Sequence, residues 1–318
     1  MEINYHLPSF TEHYSLNLLI FDYMKEHPEY FREGIKIASV FGCFGGMLWN
    51  GGRNVPGDFD LEFTKMILNE YNSRGIPLRF TITNPHVTEK HLTDKPSNEI
   101  MKLADNGLNQ VIVMSPVLEE YIRSTYPNFK ITSSTCKQIR DMNDLNAELE
   151  KDYCLVVLDY NWNNKFEDLE QIKDKERCEI LVNACCQPNC QRRGDHYSSI
   201  GKYQIELCGM AQSGLGIDPQ NIIKEPFPCP FMAYDIYMLN QFPTYISPDD
   251  IESKYVPMGF RHFKLEGRTI GDIDMLEMYV HYFVKPEYEH RARLDILNKL
   301  TGNIKHFNIF PRPANVQR

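Results

Sequence analysis

Short apolar segments alternate with amphipathic segments along most of this chain. The amphipathic segments repeat apolar residues at intervals of three and four, as residues 60–74 do, and this spacing predicts helices. The apolar segments are short enough for strands, and they lie at residues 35–43, 77–83, 110–115, 130–135, 154–159, 179–184 and 262–268. Strands separated by helices of about ten to fifteen residues indicate parallel strands joined by helical crossovers.

These seven strands predict an α/β fold, the (β/α)8 TIM-like barrel, over residues 35–300. The eighth strand would fall between residues 222 and 245, where prolines blur the pattern, so we expect an irregular barrel around the seventh strand. A doubly wound sheet fits less well, because this many strand–helix units in about 250 residues are typical of a barrel. The glycines that follow the first predicted strand also lack the spacing of a dinucleotide-binding turn.

Three segments depart from this regular pattern. Residues 1–34 contain one helical pattern, at 15–24, and we expect them to pack on the barrel as an N-terminal preface. Residues 185–245 form a cysteine-bearing insertion within the barrel, and residues 301–318 form a C-terminal tail.

The composition limits the cellular compartment and the classes of partner that we expect. The chain has 34 basic and 43 acidic residues, so its overall field does not attract nucleic acid, although a local basic patch could hold a phosphate or a carboxylate. The chain has no secretory signal pattern at its start and no apolar run of about 18 residues, so we expect a cytoplasmic protein without a membrane partner. Nine cysteines in a reducing compartment are expected to be metal ligands, nucleophiles or core residues rather than disulfides.

Two of these cysteines lie in a polar loop directly after the predicted strand at 179–184. Cys186 and Cys190 flank Pro188, which shapes a turn, and the carboxyl ends of barrel strands converge at one mouth. Thiols in a polar loop do not fill an apolar core, so we predict that these two bind a metal. A tetrahedral zinc or a [4Fe–4S] cluster needs two more ligands, which we predict to be Cys208 and Cys229.

Other cysteines compete for these positions or belong to the core. Cys43, Cys178 and Cys185 are competing ligands by their place in the chain. Buried free cysteine often acts as a small hydrophobic residue, and Cys154 and Cys178, which begin strands, fit that role.

Charged residues after the thiols and near the last strand suggest a substrate site. Arg193 could bind an anionic substrate and His196 could transfer a proton, although a solvated loop and a histidine satisfied by backbone groups are the alternatives. In residues 264–268, alternation sends Lys264, Glu266 and Arg268 to one face, where they must pair with one another or with a ligand. A structural network of these three charges is the alternative.

Several segments resemble barrels related to the collagenase-like peptidase superfamily (peptidase family U-32). Residues 182–197 resemble its Val-Asn-…-Cys-x3-Cys-x-x-Arg-x-x-His-Tyr segment. Residues 246–255 and 259–268 resemble its I-x-P-E-D-…-Y and F-K-I-E-G-R segments, and residues 110–116 resemble its third-strand region.

The resemblance implies a TIM-like barrel that carries a four-cysteine iron–sulfur cluster, to which Cys186 and Cys190 correspond by position. Characterised relatives are linked to oxygen-independent hydroxylation, and some of them work with a partner subunit. We therefore expect an iron–sulfur hydroxylase that acts on a small anionic organic molecule or on RNA. A collagenase-like peptidase and a non-catalytic barrel with zinc or a structural cluster are the alternatives. The peptidase is less favoured, because residues 183–186 depart from the H-G-A-x-C signature of collagenase-like members.

Overall fold

Eight parallel strands close into a barrel in the order in which they occur along the chain. This computed structural model describes residues 2–184, 186–213, 236–267 and 270–302, without the side chains of residues 236 and 237. The strands are β1 (Ile3–Pro8), β2 (Ile35–Gly42), β3 (Leu78–Ile82), β4 (Gln110–Val113), β5 (Lys130–Ser133), β6 (Leu155–Val157), β7 (Cys178–Leu181) and β8 (His262–Lys264). The predicted (β/α)8 barrel is therefore confirmed.

Helices follow the strands and cover the outside of the barrel. They are α1 (Tyr14–Glu26), α2 (Leu61–Asn72), α3 (Lys95–Ala104), α4 (Pro116–Thr125), α5 (Met142–Leu149), α6 (Phe166–Glu170), α7 (Arg193–Ser213), α8 (Pro248–Asp250), α9 (Val256–Met258), α10 (Asp272–Phe283) and α11 (Glu289–Thr301). A π-helical turn at Ile251–Tyr255 joins α8 to α9. Apolar side chains of the helices and the strands share one large core between the two layers.

The strand that closes the barrel comes from the N-terminal segment. β1 pairs with β2 on one side and with β8 on the other, so residues 3–8 belong to the barrel rather than to a preface that packs on it. The predicted strands were continuous apolar segments, whereas in β1 the polar residues Asn4 and His6 alternate with Ile3, Tyr5 and Leu7, a pattern that is also typical of a strand.

No additional strand is needed between residues 222 and 245, because β7 pairs directly with β8. Residues 222–235 of that range lie outside the described residues, and residues 236–241 form a 3₁₀ helix.

A buried carboxylate organises the polar interior of the barrel. Glu179 on β7 accepts a hydrogen bond of 2.5 Å from Arg79 on β3, and it lies 3.4 Å from the Nζ atom of Lys264 and 3.5 Å from the Nε2 atom of His6. These four side chains, which we call the interior network, are all buried. Burial alone would raise the pKa of Glu179, but Arg79, His6 and Lys264 outweigh it and lower the pKa. Glu179 is therefore ionised, and it balances the cations Arg79 and Lys264 from two other strands of the barrel.

His6 extends this network across β1, β2 and β8. Its Nδ1 atom hydrogen-bonds the Oγ atom of Ser39 at 2.7 Å, and its Nε2 atom lies 3.0 Å from the Nδ1 atom of His262. Burial lowers the pKa of His6 well below its usual value, and Arg79 and Lys264 lower it further, while Glu179 opposes them. His6 is therefore neutral near pH 7.

Replacing Glu179 with glutamine should destabilise the protein strongly. Arg79 and Lys264 would remain buried without their counter-charge, and breaking a buried ion pair from one side typically lowers the free energy of unfolding by about 3–5 kcal/mol. Urea unfolding followed by circular dichroism measures this change. Glu2→Gln is the control, because Glu2 pairs with Lys36 at the exposed surface, and it should have little effect. Equal stabilities of the two variants would contradict a central role for Glu179.

The neutral state of His6 predicts a pH dependence of stability. Because its pKa is lower in the folded than in the unfolded chain, its contribution is present above the unfolded pKa of about 6.5 and is lost as the pH falls below it. The wild type should therefore lose stability between about pH 8 and about pH 5, and His6→Gln should lose less of it over that range. Unfolding curves at a series of pH values test this. The exposed His290→Gln variant should keep the wild-type slope.

Candidate functional site

The guanidinium group of Arg193, at the first residue of α7, is bound on several sides by other protein groups. Its Nη1 atom lies 2.6 Å from Oδ2 of Asp159, and its other nitrogens donate to Thr135 at 3.2 Å and to the hydroxyl group of Tyr197 at 2.9 Å. Its carbon Cζ lies 4.2 Å from the ring centre of Tyr160. Burial would lower the pKa of Arg193, but Tyr197 and Asp159 outweigh it and raise the pKa. The contacts of Arg193 thus join α7 to the segments that follow β5 and β6.

Asp159 in turn supports the loop that carries the thiols, residues 186–190, which we call the thiol loop. Its Oδ1 atom accepts hydrogen bonds from the backbone and side-chain nitrogens of Asn161, at 2.9 and 2.6 Å. The side-chain oxygen of Asn161 then accepts from the backbone nitrogen of Asn189 at 2.7 Å. The hydroxyl group of Tyr160 donates to the backbone oxygen of Gln187 at 3.2 Å. The thiol loop is therefore fixed to the segment that follows β6.

The two thiols of this loop differ from the other described cysteines in their surroundings. Cys186 and Cys190 are both partly exposed, and three residues separate them on the same fixed loop. Burial raises the pKa of Cys186, while the hydroxyl group of Tyr160 and the charge of Arg193 act in the opposite direction. The competing candidates Cys43 and Cys178 are buried in the apolar core, and Cys178 begins β7, so it lies at the far end of that strand from the thiol loop.

The structure does not bring Cys208 together with Cys186 and Cys190. Cys208 lies on α7, about 22 Å along the helix axis from Arg193 at about 1.5 Å per residue, and its sulfur is buried beside Gln204. Burial raises the pKa of Cys208 to about 12. The predicted ligand Cys229, the competing ligand Cys185 and the predicted anion-binding residue Arg268 lie outside the described residues.

Thiolates are suitable ligands for zinc and for iron–sulfur clusters, so the donors of the thiol loop fit such a group in kind. They would supply two of the four ligands that such a group needs. Within the described ranges, no group of three or more His, Cys, Asp or Glu side chains is arranged to hold a metal ion.

Lys264 and Glu266, predicted to share a face, lie in different surroundings. Lys264 is buried in the interior network, with its Nζ atom 3.9 Å from the ring centre of Phe41. Its counter-charge is Glu179, which is not part of the predicted network of Lys264, Glu266 and Arg268. Glu266 instead lies at the mouth, the end of the barrel where the strands have their carboxyl ends, and forms an ion pair with Arg53.

Arg53 is a residue of the mouth that the sequence analysis did not include. It lies in the loop between β2 and α2, and loops of this kind form the functional face of TIM barrels. Burial lowers the pKa of His196, Arg53 lowers it further and Glu266 raises it, so these three side chains share one electrostatic environment. The position of this loop after a barrel strand was the signal that could have drawn attention to Arg53.

Comparisons with known proteins add one similarity. No protein-family model matches the chain, and no curated protein matches it. A solved structure described as "The Structure of the U32 Peptidase Mk0906" is similar to it with a TM-score of 0.47 and 13% sequence identity, covering 84% of this chain and 93% of that chain. The similarity concerns the fold. None of the helices in the described ranges combines the length and apolar character needed to cross a membrane.

The link between Asp159 and the thiol loop can be tested with Asp159→Asn. This change leaves the buried Arg193 without its counter-charge, so the free energy of unfolding should fall by about 3–5 kcal/mol. The thiol loop should also become more mobile, so that a thiol-specific reagent labels Cys186 faster than in the wild type. Asp152→Asn is the control, because Asp152 is fully exposed and its removal should change neither quantity. An unchanged labelling rate of Cys186 in Asp159→Asn would show that the ion pair of Asp159 and Arg193 does not control the mobility of the thiol loop.

Proposed function

We propose that this protein is an enzyme that binds a metal centre at the mouth of its barrel through Cys186 and Cys190. An iron–sulfur cluster is the preferred group, and zinc is the alternative. Cys229 and Cys185 are the candidates for the remaining ligands, because Cys208 lies too far along α7. The proposed reaction is oxygen-independent hydroxylation of an anionic small molecule, with RNA as the second substrate class.

The observation that carries this proposal is the fixed conformation of the thiol loop. Binding a metal orders its ligands, and a loop that is already held by Tyr160 and Asn161 loses less conformational freedom when it binds. The two thiols also lie at the mouth, which is where TIM-barrel enzymes carry out their chemistry. The reaction class rests on the resemblance of residues 182–197 to the peptidase U-32 superfamily.

The residues around the thiol loop have separate roles in this proposal. Arg193 and Asp159 position the loop, and a cluster bound there would supply electron transfer. His196 is half-buried, and burial lowers its pKa, so it is neutral near pH 7 and can accept a proton from the substrate. With water as the oxygen donor, replacing a C–H hydrogen with a hydroxyl group releases two electrons and two protons, so a partner subunit would be the acceptor of the electrons.

A collagenase-like peptidase is the second candidate, and the pKa of Cys186 argues against it. A cysteine nucleophile acts as a thiolate, which requires a lowered pKa, whereas burial raises the pKa of Cys186. Incubation of the pure protein with denatured collagen tests this function. Cleavage that is lost in Cys186→Ser would favour the peptidase.

Anaerobic purification should give a brown protein that contains iron and acid-labile sulfide. Cys186→Ser and Cys190→Ser should each lose most of both, because a missing thiolate removes one ligand of the cluster. Cys154→Ser is the matched control, since Cys154 is also partly exposed but directly precedes β6, at the opposite end of the barrel. It should retain the wild-type metal content.

The metal analysis also separates the remaining alternatives. A protein with stoichiometric zinc and no iron would favour a non-catalytic or zinc-dependent barrel. A colourless protein that binds neither metal would contradict the proposal.

A further inference from the structure

The cations that the sequence assigned to substrate binding are largely used by the protein itself. Arg193 is 3% exposed and is bound to Asp159, and Lys264 is buried against Glu179. A substrate anion would have to displace these carboxylates from buried positions, which is unfavourable because the displaced charge would then lack a partner. A group that binds a substrate anion at the mouth therefore has to be more accessible than Arg193 and Lys264.

Arg53 is accessible and held in place. Its side chain is 27% exposed and that of its partner Glu266 is 29% exposed. The side chain of Asn50 donates to the backbone oxygen of Arg53 at 2.7 Å, and that of Asn54 donates to the backbone of Ile200 on α7 at 2.9 Å. The backbone around Arg53 is thus fastened both within its own loop and to α7.

Two further contacts make this loop rigid. The amide group of Gln204 on α7 bonds both backbone groups of Val55, accepting at 3.0 Å and donating at 3.2 Å. Gly51 packs directly on the chain after β3, where a Cβ atom would lie 2.4 Å from the carbonyl carbon of Thr83. The loop therefore presents the guanidinium group of Arg53 from a fixed backbone.

Glu266 is held in a similar way on the opposite side. Its backbone nitrogen donates to the side-chain oxygen of Asn183 at 2.6 Å, and its backbone oxygen accepts from the same side chain at 2.8 Å. The pair of Arg53 and Glu266 thus joins two fixed backbones through two partly exposed side chains. An ion pair at this level of exposure stabilises a protein by only about 0–1 kcal/mol, so exchanging one carboxylate partner for another anion is easy.

We propose that Arg53 is the residue that binds the anionic group of the substrate, and that Glu266 occupies its guanidinium group when no substrate is bound. The Nη1 atom of Arg53 donates to the backbone oxygen of Gly52 at 2.7 Å, which leaves Nη2 to form a charge-assisted hydrogen bond with a carboxylate or a phosphate in place of Glu266. His196 shares the electrostatic environment of this pair, so the bound group would lie near the proposed proton acceptor. The role of the bound anion as a substrate rests on the proposed function, whereas the anion site itself does not depend on a metal.

Inorganic phosphate is a suitable probe, titrated calorimetrically into the full-length protein at low and constant ionic strength. Arg53→Gln should weaken phosphate binding at least about tenfold, because it removes charge-assisted hydrogen bonds. Glu266→Gln should tighten it about threefold, because the competing carboxylate is gone. Arg53→Lys should bind with intermediate affinity, since it keeps the charge and loses the orientation that the bond to Gly52 gives the guanidinium group.

Arg74→Gln is the matched control. Arg74 pairs with Glu70 on α2, and the two side chains are 26% and 36% exposed, so the pair resembles that of Arg53 and Glu266 in accessibility. Its loss should leave phosphate binding unchanged. The proposal would be overturned if Arg53→Gln bound phosphate with wild-type affinity, or if Glu266→Gln bound it no more tightly than the wild type. If Arg53→Gln does not fold, the result for Glu266→Gln decides between these outcomes.

Iron and sulfide are measured on the same preparations, so the two proposals can fail separately. A metal-free protein that binds phosphate through Arg53 would contradict the metal centre and support the anion site. A protein with iron, in which Arg53→Gln binds phosphate normally, would do the reverse.

Discussion

The negative charge of Glu179 in the centre of the barrel is the constraint on which the surrounding structure depends. An ionised carboxylate in a closed interior requires compensation, and Arg79 and Lys264 provide it from β3 and β8, while the neutral His6 lies 3.5 Å from it on β1. Because the partners lie on separate strands, the requirement fixes the relative positions of those strands. The middle of this barrel is therefore held by directional polar contacts, whereas apolar packing dominates between the strands and the helices.

From this centre to the mouth, the charged pairs become progressively more exposed. Glu179 is fully buried, Asp159 and Arg193 are almost fully buried beneath the thiol loop, and Arg53 and Glu266 are partly exposed above them. Charged pairs of similar chemistry therefore have different roles, depending on how exposed they are. The deeper pairs are too costly to separate and position the structure, while the outermost pair can exchange a partner at little cost.

The sequence was sufficient for the barrel and for the location of its mouth, because both follow from the spacing of apolar segments. It was not sufficient for β1, in which the polar side chain of His6 faces Ser39, His262 and Glu179, all distant in the sequence. For the same reason, the sequence suggested that Arg193 and Lys264 bind a substrate. Their counter-charges, Asp159 and Glu179, come close to them only once the strands are assembled. Spacing also suggested a common site for Cys208 and the thiol loop, which a helix as long as α7 prevents.

The position of β1 has a consequence for how this chain folds. Its partner β8 lies more than 250 residues away, so the contact that closes the barrel has a very large sequence separation, with Asn4 opposite His262. Contacts of this kind form late, because the entropy of closing so long a loop has to be overcome first. During synthesis on the ribosome, one edge of β1 must wait until nearly the whole chain has emerged, and an unpaired strand edge is prone to aggregate. Shielding of this edge, by a chaperone or by transient contacts, would determine how much newly made chain reaches the closed barrel.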